Sequence, residues 1–249
     1  MDKTTAIKLT NVSKDYALRE KSTLIEKFIK RKNKIFSALK NINLTIQKGE
    51  RVGIIGSNGS GKTTLLKIIG GITPHTTGIV ETYGKIASLI DLEAGFHPDL
   101  TGEENIALNG LLVGMNQSEV KENKKKISNF SGIGQFIKRP FYTYSSGMKF
   151  RLALAVAVAS KCEILLLDEI FLSGDDKFLY KTISWLRGIN RRQNLTLVIA
   201  AHDPMFVWEF AQRYIMLDHG KIVELSINDV MSIRRKNASL WKKIFPHTI

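Results

Sequence analysis

The sequence is short of the features that mark secreted and membrane-spanning chains. It has a single cysteine, Cys162, so no disulfide can form within it, and its longest uninterrupted apolar run, Leu152 to Ala159, has eight residues. A membrane-spanning helix needs about 20 apolar residues. The N-terminal sequence MDKTTAIKLT lacks the charged and then apolar order of a signal peptide. We therefore expect a protein of the cytosol.

The chain also lacks the composition of a disordered or fibrous protein. Of its 249 residues, 43% are hydrophobic and 24% are charged, and the 19 glycines show no three-residue period. This length is enough for one large domain or two small ones with a substantial core. Basic residues are in excess, with 37 Lys and Arg against 23 Asp and Glu and a formal net charge of +14. Such an excess favours nucleic acid, an anionic membrane surface or nucleotides as partners, or it is only a solvated basic surface.

Short apolar strands alternate with helical patterns along the chain. The segments RVGII (51–55), ILLLD (164–168) and LTLVIAAH (195–202) are typical of buried strands, and the region 101–160 is mainly helical in pattern. This alternation predicts a parallel sheet covered on both faces, and hence an α/β fold.

A basic stretch, residues 18–36, precedes a strand predicted at 39–46. Its apolar residues, at positions 24, 25, 28 and 29, have the spacing of an amphipathic helix, and seven basic against two acidic residues give it a net charge of +5. The tail from residue 230 to 249 is also basic. Two interpretations of the stretch stay open. One is a helix at an anionic membrane surface, where each Lys or Arg contributes about 1 kcal/mol, and the other is a solvated helix.

The segment GSNGSGKT, from Gly56 to Thr63, fits the phosphate-loop pattern G-x-x-x-x-G-K-[ST] in full. It follows a predicted strand and precedes a helical run, where the glycines and the helix N-terminus direct N–H groups toward an anion. Lys62 supplies a positive charge for the β- and γ-phosphates, and Thr63 offers a hydroxyl to Mg²⁺. The predicted nucleotide-binding residues here are Gly56, Ser57, Asn58, Gly59, Ser60, Gly61, Lys62, Thr63 and Thr64.

A second predicted strand ends in two carboxylates, Asp168 and Glu169. Asp168 can hold Mg²⁺ through water, and Glu169 can polarise an attacking water molecule. The pair favours a hydrolase over a kinase, and a P-loop kinase stays the weaker alternative.

Two further motifs complete an order that resembles the ATP-binding cassette of ABC transporters. The segment YSSGM, residues 144–148, stands before a predicted helix, where a serine alone would be an ordinary N-cap. His202 ends a later strand. The resemblance implies a P-loop NTPase with a RecA-like core, an antiparallel β part and a helical subdomain, with ATP as ligand and Mg²⁺ as cofactor. It implies one cassette over residues 1–249, with its core in 1–90 and 160–230 and the helical subdomain at about 98–160.

The resemblance also implies roles for individual residues. It makes Tyr16 the aromatic that stacks on adenine, and His202 a hydrogen-bond partner of the γ-phosphate that acts in catalysis with Glu169 and Lys62. It places Mg²⁺ at Thr63 and Asp168.

The signature segment implies a second subunit. Where the family usually has LSGGQ, this chain has Tyr144-Ser145-Ser146-Gly147-Met148. In the family this helix start faces the γ-phosphate that the other subunit binds, which implies a homodimer with two ATP molecules between its subunits. Most members of the family carry a glutamine before an aromatic-Pro-x-Leu-Thr stretch. This chain has none there, and the resemblance leaves either Asp91 or Glu93 to take its place at Mg²⁺ and water.

The segment GFHPDLTGEEN (95–105), together with YSSGM and the basic stretch, resembles one subfamily. These are the ATP-binding subunits of bacterial exporters of lipid-linked polysaccharide: O-antigen, capsule and teichoic acid. This resemblance implies an ATPase on the cytoplasmic face of the cell membrane, a separate integral membrane permease and no nucleic-acid partner. The alternative is a nucleic-acid-associated ATPase of the same superfamily, favoured by the charge of +14.

Overall fold

The computed structural model describes residues 4–18, 34–90, 95–168, 194–201 and 210–225, with residues 178, 184, 186, 207 and 229. In chain order its strands are β1 (Thr5–Leu18), β2 (Lys34–Gln47), β3 (Arg51–Ile55), β4 (Thr77–Thr82), β5 (Ile86–Leu89), β6 (Ile164–Leu167), β7 (Thr196–Ala201), β8 (Arg213–Asp218) and β9 (Lys221–Glu224). Its α-helices are α1 (Lys62–Ile69), α2 (Gly102–Leu112), α3 (Gln117–Ser131) and α4 (Ser146–Ala159).

The larger sheet is mostly parallel. Its strand order is β5-β6-β7-β3-β8-β9, and only β9 runs antiparallel to its neighbour. Every residue of β6 and β7 is buried, as expected for strands covered on both faces. Successive residues of β6 enter different cores, with Leu165 in one cluster and Leu166 in the other. The predicted parallel sheet is confirmed.

The smaller sheet is antiparallel, in the order β2-β1-β4. Along β2 the apolar residues Ile42, Leu44 and Ile46 are buried, while the polar residues between them are exposed. This period of two places one face of the sheet on the core that α1 shares. The predicted antiparallel part of the α/β fold is therefore confirmed.

The region 101–160 forms the helical part of the fold. Helices α2 and α3 each begin with a capping box, formed by Thr101 with Glu104 and by Asn116 with Glu119. Helix α4 is largely buried through its middle and contributes Phe150 and Leu152 to the core. The helical subdomain of the predicted fold class is confirmed.

The helix predicted over the basic stretch 18–36 is wrong at both ends of that stretch. Leu18 pairs with Lys34 and Tyr16 with Phe36, so β1 and β2 extend into it as an antiparallel pair. Pairing of the two strands satisfies the backbone N–H and C=O groups at these ends. The spacing of apolar side chains does not reveal such a pairing, because the partner strand is distant in sequence. The rest of the stretch, 19–33, and the basic tail 230–249 lie outside the described residues.

No helix among the described residues has the length and apolar character needed to cross a bilayer.

Candidate nucleotide-binding site

The phosphate loop connects the central strand β3 to the start of α1. Gly59 and Gly61 have φ values of +79° and +108°, a region that favours glycine. A Cβ atom on Gly61 would lie 2.6 Å from the carbonyl oxygen of Ala38, whereas one on Gly59 would meet nothing within 4 Å. Gly61 is the N-cap of α1, and no side chain caps the helix there. The loop therefore presents an open side and uncapped helix amides, which suit an anion.

Lys62 brings a positive charge into this loop. Its side chain is buried, with 6% of the residue exposed, and its Nζ donates to the carbonyl oxygens of Gly56 at 2.8 Å and Ser57 at 3.0 Å. An ammonium group in a poorly solvated position interacts with phosphate more strongly than it would in water. The loop thus combines a fixed cation with the N-terminus of a helix.

Thr63 and Asp168 form the second polar pair of the site. The Thr63 hydroxyl donates to Oδ2 of Asp168 at 2.6 Å, across 105 residues of chain, and Asp168 is only 3% exposed. A hydroxyl and a carboxylate are hard oxygen ligands of the kind Mg²⁺ takes, usually with phosphates and water. No group of three His, Cys, Asp or Glu able to hold a metal occurs in the described part of the chain. The pair therefore fits Mg²⁺ that is shared with a bound phosphate.

The turn between β8 and β9 braces the phosphate loop. The Gly220 amide donates to the carbonyl oxygen of Ser60 at 3.1 Å, and the Lys40 amide donates to the carbonyl oxygen of Gly220 at 2.7 Å. Gly220 has a φ of +77°, and a Cβ there would lie 2.6 Å from the carbonyl oxygen of Ala38. The Ser60 hydroxyl is buried with no hydrogen-bond partner among the described residues. Sequence reasoning missed Gly220, because its role depends on contacts with two distant segments.

A cleft of about 330 Å³ opens beside the loop. Its lining joins loop residues to the β1–β2 pair, which contributes Tyr16, Phe36 and Ala38. Tyr16 is the predicted adenine-stacking residue, and the Lys14 ammonium lies 4.8 Å from its ring centroid. Phe36 was missed, because the basic charges around it favoured a helix. The alternation of the predicted strand 39–46 does not reach it, because the register with β1 shifts between Ser37 and Leu39. The loop residues in the lining are Asn58, Gly59, Gly61, Lys62, Thr63 and Thr64, together with Asp168.

The signature segment lies apart from this cleft. Ser145 is the N-cap of α4 and accepts from the Met148 amide at 3.3 Å, and both Ser145 and Ser146 are exposed. None of the predicted residues 145–147 lines the cleft within the described part of the chain. Burial raises the pKa of the Tyr144 phenol, which donates to the carbonyl oxygen of Phe136 at 2.7 Å and anchors the segment. The structure does not bring this segment to the phosphate loop of its own chain.

Four predicted site residues, Asp91, Glu93, Glu169 and His202, lie outside the described residues. Their roles stay predictions. The strands that precede them, β5, β6 and β7, are adjacent and parallel in the sheet. Neighbouring parallel strands end at the same edge of a sheet, and in open α/β folds that edge holds the ligand.

The phosphate loop lies between a central parallel strand and a helix, and the hydroxyl of Thr63 donates to the buried Asp168, which follows another strand. This arrangement defines a P-loop nucleotide-binding protein. Comparison with known families then gives its place within that class. Residues 39–172 match the family described as ABC transporter. The chain belongs to the ABC transporter family.

Curated relatives of the chain are named for export. It is 45% identical to the O-antigen export system ATP-binding protein RfbB of Myxococcus xanthus, over 76% of this chain and 43% of that one. It is 36% identical to the RfbB protein of Klebsiella pneumoniae, over 78% of each chain. It is 36% identical to the teichoic acids export ATP-binding protein TagH of Lactiplantibacillus plantarum, over 88% of this chain and 61% of that one. The chain thus spans less than two thirds of the Myxococcus and Lactiplantibacillus proteins. Because these relatives are named for export, the alternative of a nucleic-acid-associated ATPase is not favoured.

Solved structures agree with the fold class. An ATP-binding cassette in a dimeric post-hydrolysis state, bound to ADP and Pi, matches with a TM-score of 0.72 and 28% identity. The match covers 88% of this chain and 99% of that one. The predicted P-loop cassette fold is therefore confirmed.

Proposed function

We propose that this chain is the ATP-hydrolysing subunit of an exporter of lipid-linked polysaccharide of the O-antigen, capsule or teichoic acid type. It acts at the cytoplasmic face of the membrane and works with a separate integral membrane permease. The observation that carries the ATP-hydrolysing part of the proposal is the contact of Thr63 with Asp168 beside the buried Lys62. The export names of relatives such as RfbB and TagH support the transport role.

Binding of ATP follows from the geometry of the loop. Lys62 and the uncapped amides of α1 attract the negatively charged phosphates, and the open side at Gly59 gives them access to the backbone. Tyr16, on β1, offers an aromatic face to the adenine in the same cleft. The triphosphate and the base therefore contact different elements, which fixes the orientation of the ligand.

Hydrolysis adds water to the γ-phosphorus and releases ADP and phosphate. Thr63 and Asp168 are the residues that would hold Mg²⁺, which would supply neutralisation of charge on the phosphate oxygens. Glu169, one residue after Asp168, takes the proton of the attacking water, and His202 donates a hydrogen bond to the γ-phosphate. Asp91 or Glu93 would orient the attacking water. Lys62 stabilises the charge of the transition state.

The proposed working unit is a homodimer. The signature segment, with Ser145 and Ser146 exposed, does not reach the phosphate loop of its own chain. The start of α4 is suited to an anion, so it completes the site of a second subunit across the interface. In this dimer each of the two ATP molecules contacts the phosphate loop of one subunit and the signature segment of the other.

The ATPase proposal is tested by replacing Lys62 with alanine in the purified chain. We expect ATP binding and phosphate release to fall to background, because the buried positive charge is lost from the loop. The control is Lys48→Ala, which removes an exposed lysine outside the cleft and should retain full activity. A Lys62→Ala protein with near-normal turnover would refute the assignment of the site.

The export proposal is tested in the source bacterium. Deletion of the gene should abolish the surface polysaccharide, and expression of the wild-type chain, but not of Lys62→Ala, should restore it. A membrane permease should co-purify with both forms. Unchanged surface polysaccharide in the deletion strain would refute the transport role and leave the ATPase assignment standing.

A further inference from the structure

Two aromatic side chains face each other across the β1–β2 pair at the nucleotide cleft. Tyr16 and Phe36 are direct partners in the antiparallel register. Residues directly opposite in such a pair have side chains on the same face of the sheet. Both side chains line the cleft beside the phosphate loop. The register thus places a second aromatic ring where the sequence indicated only one.

Both rings are exposed to an unusual extent for large aromatic residues. Tyr16 is 38% and Phe36 is 49% exposed. Buried aromatic pairs are normally packed with ring centroids 4.5–7 Å apart, yet Tyr16 and Phe36 are not among the ring contacts of the described residues. Lys14 holds the Tyr16 ring through a cation–π contact at 4.8 Å. The pair leaves two apolar ring surfaces accessible to a ligand in the cleft.

A small residue of β2, Ala38, also lines the cleft. It lies two positions beyond Phe36 on the strand and is buried. Its carbonyl oxygen lies against Gly61, where a Cβ atom would come within 2.6 Å. The strand therefore approaches the phosphate loop closely at Ala38 and carries a large ring only at Phe36. An aromatic base whose phosphates lie on the loop is the ligand that matches this arrangement.

We propose that Phe36 is a base-binding residue that contacts the adenine of ATP together with Tyr16. This proposal rests on the proposed nucleotide-binding function and extends it. Phe36 supplies an apolar ring and no hydrogen-bonding group, so its contribution is stacking or edge contact with the base and is independent of the phosphates. It is a positioning and affinity residue and takes no part in the chemistry of hydrolysis.

The test compares a ligand that has a base with one that has none. In Phe36→Ala, ATP should bind about tenfold more weakly than in the wild type, within the range that base–aromatic stacking contributes. Binding of tripolyphosphate, measured as competition with a fluorescent ATP analogue bound to each variant, should stay unchanged. Phe36→Tyr should keep wild-type affinity for ATP, because it restores the ring. The matched control is Ile35→Ala, since Ile35 is more exposed, at 66%, and does not line the cleft.

A second measurement does not depend on loss of affinity. In Phe36→Trp, saturating ATP should quench or shift the emission of the new tryptophan, and in Ile35→Trp the emission should change much less. ATP affinity of Phe36→Ala within twofold of wild type would overturn the proposal. An equal loss of ATP and tripolyphosphate binding would overturn it too.

The failure of this proposal is distinguishable from failure of the nucleotide-binding function. If the wild-type chain binds no ATP, the proposed function itself is wrong. If the wild type binds ATP and Lys62→Ala does not, while Phe36→Ala binds normally, only the role of Phe36 is overturned.

Discussion

Replacing Thr63 with valine tests the polar pair of the site at nearly constant side-chain volume. The substitution removes the hydroxyl that donates to Asp168 at 2.6 Å and keeps the branch at Cβ. A hydrogen bond to a charged group contributes about 1.5–3 kcal/mol, and removing one partner leaves the other with a desolvation cost. Asp168 is only 3% exposed, so water compensates poorly for the lost bond.

This energy is a contribution to folding stability, and the effect on Mg²⁺ comes from the loss of the hydroxyl as a proposed metal ligand. A loss of about 1.5–3 kcal/mol corresponds to roughly a 10- to 150-fold change in an equilibrium constant. We expect the Mg²⁺ concentration for half-maximal ATP hydrolysis to rise by at least about tenfold in Thr63→Val, with a fall in turnover, because one proposed metal ligand is also lost. The melting temperature should fall modestly.

The assay is phosphate release at saturating ATP, titrated with Mg²⁺, together with thermal unfolding. Thr63→Ser is the matched control, because it keeps the hydroxyl and should retain both the Mg²⁺ dependence and most of the activity. Wild-type Mg²⁺ dependence in Thr63→Val would refute the reasoning. So would a Thr63→Ser variant as impaired as Thr63→Val, since the hydroxyl would then not be the group that matters.

Three further predictions address other parts of the molecule. Glu169→Gln should keep ATP affinity and lose nearly all turnover, because the amide has the shape of the carboxylate without its basicity. ATP should then stabilise a dimer that is visible by size-exclusion chromatography. Turnover close to wild type would show that Glu169 is not the base. Gly147→Asp should abolish hydrolysis and spare ATP binding by the separate monomer, because like charges oppose closure on the γ-phosphate; activity that equals wild type and never depends on protein concentration would contradict the shared site. Burial raises the pKa of the Cys162 thiol to about 11, so it should resist alkylation at pH 8 in the native state and react quickly once the chain is unfolded, as measured by mass spectrometry; equally fast labelling of both states would contradict its burial.

The phosphate loop could be predicted from the sequence because its parts are contiguous. Gly56 to Thr63 lie at one strand–helix junction, and their residue types alone indicate the loop. The glycines allow its positive φ angles, and the lysine and threonine follow at the helix start. The parallel sheet was predictable for a similar reason, since runs such as Ile164–Leu167 are apolar throughout and must be buried on both faces.

The basic stretch shows where local patterns fail. Its charges and apolar spacing favoured a helix through Phe36, but pairing with β1 makes Lys34 to Phe36 part of a strand. Intrinsic helical preference is weak, about a few tenths of a kcal/mol per residue, and the cross-strand hydrogen bonds and side-chain pairs outweigh it. No local signal carries the identity of a strand partner.

Long-range contacts decided the rest of the site. Asp168 meets Thr63 because β7 lies between β6 and β3 and the parallel strands end at one edge, which brings residues 105 positions apart to 2.6 Å. Gly220 braces the loop because the β8–β9 turn lies against Ser60 and Ala38. The local chemistry of the phosphate loop could be predicted from its residues, because that chemistry depends on neighbours along the chain. The distant groups that join the loop could not, because the order and register of the strands set those distances.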